Sequence, residues 1–143
     1  MSRSSSRDPE DWLRKLSPDE WIRAALGELR RAEAAYANRN LRAGVAGCKR
    51  AAGMALNAVL SVEAREGWGR TYVEHLAGLA KDTTAPEVVR AAAAIVLGAE
   101  SPGGSGDVVA LRTPSSDAKL VDAARDVVAH AYALVRRHDA DQD

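Results

Sequence analysis

With Cys48 as its one cysteine, the chain has no internal disulfide and no thiolate pair for zinc. Three scattered histidines without a cysteine partner do not make a metal site, so neither a metal nor a cofactor is expected. No apolar run approaches membrane-spanning length, and residues 1–7 lack the apolar core of a signal peptide. The expectation is a cytoplasmic protein with no membrane contact. An excess of one charge is missing too: Lys and Arg total 20, as do Asp and Glu. No global field therefore draws the chain to nucleic acid, and any such attraction has to be local. No segment alternates with a strand period. The glycine-rich Gly103-Gly104-Ser105-Gly106 lacks the Lys-Ser/Thr pair and the strand–helix setting of a phosphate loop, and reads as linker.

What is present is the mix of a folded domain, 46% apolar and 28% charged over 143 residues, enough to bury one core. The polar residues 1–7 and 140–143 read as tails around a single domain at 8–139. Helix starts recur along it. Asp8-Pro9-Glu10 and Ser17-Pro18-Asp19-Glu20 each set a capping residue before a proline and acids in the first turn, and Ser17 with Glu20 makes a capping box. The first opens a short helix to Leu16. The second opens a longer one to about Tyr36, with Ile22, Ala25, Leu26, Leu29, Ala32 and Tyr36 on one face.

Asn38-Arg39-Asn40 breaks that helix, and the next runs to about Ala64. Leu41, Val45, Cys48, Ala52, Ala55, Leu56 and Val59 form its front stripe, and Ala43, Gly47, Ala51, Met54 and Ala58 its rear. A helix apolar on two sides is central. Gly67-Trp68-Gly69 ends it, and Trp68 is a core anchor or an exposed contact. A short helix from Tyr72 to Lys81 follows. Thr84-Ala85-Pro86-Glu87 reads as a further capping box for a helix ending near Gly98, and residues 101–106 as a loop. A last helix runs from Thr113-Pro114 to about His138. The expected fold is all-α, an up-and-down bundle of four to five helices.

The last helix carries the densest chemistry: Arg125, Asp126, His130 and Tyr132 within two turns. A guanidinium, an imidazole able to move protons near neutral pH, a carboxylate and a phenol suffice to hold a phosphodiester and shift protons around it. Geometry limits this. Asp126 and His130 share one border of the apolar stripe, Arg125 and Tyr132 the other, and Arg125 and His130 point about 140° apart. One straight helix cannot close both on one phosphate, so a shared site needs a kink or a second copy.

Arg, then an acid, then His five positions after the Arg and Tyr two beyond it resembles the signature of HEPN domains. The run from Arg50 to Leu60 looks like that family's second helix, and Tyr72-Val73-Glu74-His75-Leu76 resembles the start of its third. The resemblance implies a helical bundle, often dimeric, and in many members a metal-independent RNase, some of them paired with a nucleotidyltransferase. Carried over, Arg125 would hold the phosphate, His130 would act as general acid or base, and Asp126 would orient it. Tyr132 would be the residue modified in toxin–antitoxin members. A second branch of the family matches as well. There the last helix only closes the bundle, Arg112 with Pro114 match a short motif ahead of it, and the Arg125–His130 spacing carries no chemistry. Where relatives often carry Glu and Lys on the central helix, this chain has Gly53 and Asn57. The expected functions are therefore two. One is a HEPN-like protein engaging RNA or nucleotides, an RNase if the site forms across a homodimer. The other is a non-catalytic module for a partner such as a nucleotidyltransferase. Dimerisation would use the rear face of the central helix or the flank of the last one.

From Ala34 to Val62 there is no acidic residue, and Arg39, Arg42, Lys49 and Arg50 form a candidate phosphate-binding stripe. The plainer reading is a solvated flank whose arginines pair with the acid-rich termini, because no aromatic residue is interleaved for base stacking. His75 reads as a packing residue, Cys48 as an inert buried thiol, and Ser115 and Ser116 as caps.

Overall fold

A computed structural model describes residues 15–99 and 114–142, in five helices: α1 (Pro18–Ala37), α2 (Leu41–Val62), α3 (Tyr72–Ala80), α4 (Glu87–Gly98) and α5 (Pro114–Gln142). No strand occurs among the described residues. The protein is an all-α bundle. Residues 1–7, most of the first short helix with Trp12, the 101–106 loop and Arg112 lie outside the described residues, whereas the expected tail at 140–143 is helical through Gln142.

Helix α1 starts as its caps dictate. Ser17 Oγ accepts the N–H of Glu20 at 3.1 Å while Glu20 accepts the N–H of Ser17 at 2.8 Å, and Pro18 follows the cap. Its end is a three-residue reversal in which Arg39 takes a left-handed φ of 62°. Asn40 then caps α2 by accepting the N–H of Ala43 at 3.2 Å. So short a link lays α1 back along α2. Of the expected α1 face, Leu26 is 39% exposed, and Trp21 is buried instead. An outer helix touching only α2 and α5 buries a narrower arc than the wheel allows.

Helix α2 is central and touches all four others. Its front stripe is buried apart from half-buried Leu41, and Gly47, Ala51 and Ala58 at its rear are buried too. A Cβ on Gly47 would come within 2.9 Å of Ala32 Cβ, so α1 already occupies that rear face. This corrects one expected dimer surface: the rear of α2 is covered within the chain, which leaves the flank of α5.

The turn after α2 depends on Gly67 (φ 89°) and Gly69 (φ 65°), conformations glycine adopts freely. Between them Trp68 is buried, so it is a core anchor and not an exposed contact. Helix α3 begins with a capping box that sequence reading missed. Thr71 Oγ1 accepts the N–H of Glu74, and Glu74 accepts those of Thr71 and Arg70. The expected box at Thr84 does not form. Its N–H and hydroxyl both donate to Asp82 Oδ1, at 2.9 and 2.6 Å, and α4 starts after Pro86 with no side-chain cap. Helix α5 buries Leu120, Ala124, Val127, Val128, Ala131 and Val135 as its spacing predicts, half-buries Leu134, and runs on to Gln142. No helix among the described residues is long and apolar enough to cross a membrane.

Candidate functional site

The two borders of α5 meet different parts of the bundle. On one, Arg125 donates to Glu33 Oε2 of α1 at 2.8 Å and to Asp122 Oδ1 at 3.2 Å. These side chains are roughly half-exposed or more, so the pairs orient Arg125 more than they stabilise the fold. Arg125 lines a groove of about 810 Å³ where the end of α1 and the start of α2 face the first half of α5. Tyr36, Ala37, Leu41, Ala118 and Val121 supply its apolar surface. Its charged lining is three acids, Glu33, Asp117 and Asp122, against two cations, Arg39 and Arg125. That balance favours a mixed, partly cationic partner over a polyanion.

On the other border His130 is half-buried. Burial pushes its pKa below the ordinary imidazole value, the charges of Arg65 and Arg137 push the same way, and Asp82 opposes them. The fold thus favours neutral His130. Asp126, one turn earlier, is exposed, and no hydrogen bond joins it to His130 among the described residues. Tyr132 is 47% exposed, and the Arg136 guanidinium lies 5.9 Å from its ring centre. Within one copy, the four sequence-predicted residues do not converge.

The basic stripe is dispersed as well. Arg39 sits in the α1–α2 turn, off the helical wheel, and lines the groove beside Arg125. Arg50 donates to Glu28 Oε1 of α1 at 3.1 Å, a local ion pair rather than one with the termini. Arg42 and Lys49, seven residues apart, share one side of α2, the first exposed and the second half-buried. Cys48 is fully buried, and its thiol is pushed up to about 11 by desolvation, which the Tyr36 side chain only partly offsets. It carries no thiolate chemistry near neutral pH. No cluster of three or more His, Cys, Asp or Glu positioned for a metal occurs among the described residues.

The polar group that sequence reading undervalued is His75. It is wholly buried, as a packing residue should be, but is also the centre of a hydrogen-bonded node. Its Nδ1 lies 2.7 Å from the carbonyl oxygen of Trp68 and its Nε2 lies 3.0 Å from the side-chain amide of Asn57, itself 1% exposed. Burial holds His75 below the usual imidazole pKa. No local signal singled out Asn57: seven residues from Arg50, it falls on the same side of α2 as that exposed cation, and packing buries it. Compared with family models, curated proteins and solved structures, the chain finds no match in any of the three.

Proposed function

We propose that the chain is a non-catalytic, HEPN-like helical module that binds a partner protein through the groove between α1 and α5. The observation that carries this reading is the placement of Arg125. It is turned into the groove and bound by Glu33 and Asp122, whereas His130 lies on the opposite border among Arg65, Asp82 and Arg137. A nuclease site needs both groups on one phosphate. Two copies would have to bring Arg125 of one to His130 of the other and break two ion pairs in doing so. A groove with an apolar floor and a mixed-charge rim matches an amphipathic helix of a partner. The family resemblance makes a nucleotidyltransferase the partner class to test first, and a second copy would use the outer flank of α5.

Two measurements test this. Purified protein, without metal, should leave RNA intact; cleavage that disappears in His130→Ala would overturn the proposal in favour of a composite RNase. Ala118→Arg fills the groove from an exposed position without entering the core. It should abolish capture of a co-expressed nucleotidyltransferase that the unaltered chain retains, and undiminished capture would remove the groove from the proposal.

A further inference from the structure

A second cavity, of about 390 Å³, lies at the opposite end of the α1–α2 hairpin from Arg125 and is lined by Lys15, Trp21, Asn57, Arg70, Thr71 and Tyr72. Its volume is at the small end of the roughly 300–1,000 Å³ typical of ligand pockets. Its walls include two aromatic side chains. Tyr72 lies so close over α2 that a Cβ on Gly53 would come within 2.2 Å of its ring, so the glycine is what admits the ring. The two cations, Lys15 and Arg70, are exposed. The acid beside them, Glu74, is engaged by the N–H groups of Arg70 and Thr71 and by the Thr71 hydroxyl. Arg50 and Glu28, whose charges act on Tyr72, form their own pair.

The remaining lining residue is Asn57, and the buried node orients it. The carbonyl of Trp68 can only accept, so His75 Nδ1 carries the ring proton. In a neutral imidazole Nε2 is then an acceptor and requires a donor. The amide atom 3.0 Å away is assigned as Oδ1, but amide oxygen and nitrogen exchange by a half-turn, and only the nitrogen satisfies a neutral ring. Turned this way, Asn57 gives its NH₂ to His75 and leaves its oxygen as an acceptor on the cavity side.

We propose that this cavity binds a small aromatic anion whose ring carries an N–H donor. The ring packs against Trp21 and Tyr72, the N–H donates to the Asn57 amide oxygen, and the anionic group pairs with Lys15 and Arg70. Carboxylate and phosphate share this chemistry, and the choice of probes separates them. The site is distinct from the α1–α5 groove and does not depend on what occupies it.

The test is titration of the full chain, followed by the indole N–H signal of Trp21 in nuclear magnetic resonance. The probes are indole-3-acetate and indol-3-yl phosphate, which share the ring and its N–H and differ in the anionic group. At least one should move that signal saturably below about millimolar concentration. The tighter of the two assigns the anion as carboxylate or phosphate. Arg70→Ala and Lys15→Ala, both at exposed positions, should each weaken binding about tenfold, the usual loss for a charge-assisted hydrogen bond. Naphthalene-1-acetate, which has no N–H, should bind about tenfold more weakly than indole-3-acetate. No saturable shift from either probe, the same shift from inorganic phosphate alone, unchanged binding in both cation variants, or equal binding of naphthalene-1-acetate overturns the proposal.

Discussion

The α2–α3 corner and the outer borders of α5 each hold a histidine, and the fold treats the two in opposite ways. His75 is wholly buried, with one ring nitrogen on the Trp68 carbonyl and the other on the Asn57 amide. His130 is half-buried, surrounded by the charges of Arg65, Asp82 and Arg137, and separated from Arg125 by the width of its own helix. Burial lowers both pKa values, yet of the two only His75 has a hydrogen-bond partner on each ring nitrogen. The motif that attracts attention in the sequence is thus dispersed in space. The residue that reads as plain packing anchors a buried hydrogen-bonded node. Residue chemistry names candidates, and convergence decides among them.

The largest expected effect sharpens this contrast directly. His75→Ala leaves a cavity and strands the Asn57 amide, and should cost about 3–4 kcal/mol in urea unfolding. His130→Ala should cost about 1 kcal/mol, in line with a half-buried site. Similar losses at the two positions would break the comparison.

Gly53→Ala tests the close approach that builds the same corner. The new methyl collides with Tyr72, and helix propensity recovers only part of the loss, so a net destabilisation of about 2 kcal/mol is expected. A stabilised variant would mean that the Tyr72 ring is free to leave.

The next effect is a pH dependence. Both histidines have folded-state pKa values below the unfolded value of 6.5, so the unfolded chain takes up protons first as pH falls through 6.5. Stability should be fully present above that value and decline below it, toward the lower folded-state values. Thermal unfolding at pH 7.5 and 5.5 should show the lower Tm in acid, and His130→Gln should reduce the difference without abolishing it. A pH-independent Tm in that interval would contradict both burial arguments.

The smallest effect belongs to Arg125. Its ion pairs are roughly half-exposed or more, so Arg125→Ala should change stability by no more than about 0.5 kcal/mol. A larger loss would make the α1–α5 bridge structural and weaken the case for Arg125 as a groove residue.

What could be read from the linear chain was local. Ser17 with Glu20 specifies the start of α1, the Asn38–Asn40 reversal its end, and the period of Leu120, Ala124, Val127 and Ala131 the buried face of α5. Helix content, a central α2 and the separation of Arg125 from His130 all follow from such short-range spacing. Local grammar also misled where two readings competed. Thr84 matches a cap but turns to Asp82 two residues before it, while Thr71, which caps α3, drew no notice.

Contacts between distant segments were out of reach. That Glu33 holds Arg125 across 92 residues, that the charges of Asp82 and Arg65 act on His130, and that α1 closes the rear of α2 are products of helix packing. The same holds for the Trp68–His75–Asn57 node and for the glycine that admits Tyr72. By itself the sequence determined where helices begin, end and turn their apolar faces, because caps and periodicity act within a few residues. Only the tertiary structure decided which polar groups meet, because a hydrogen bond depends on tenths of an ångström between segments whose docking no local pattern encodes.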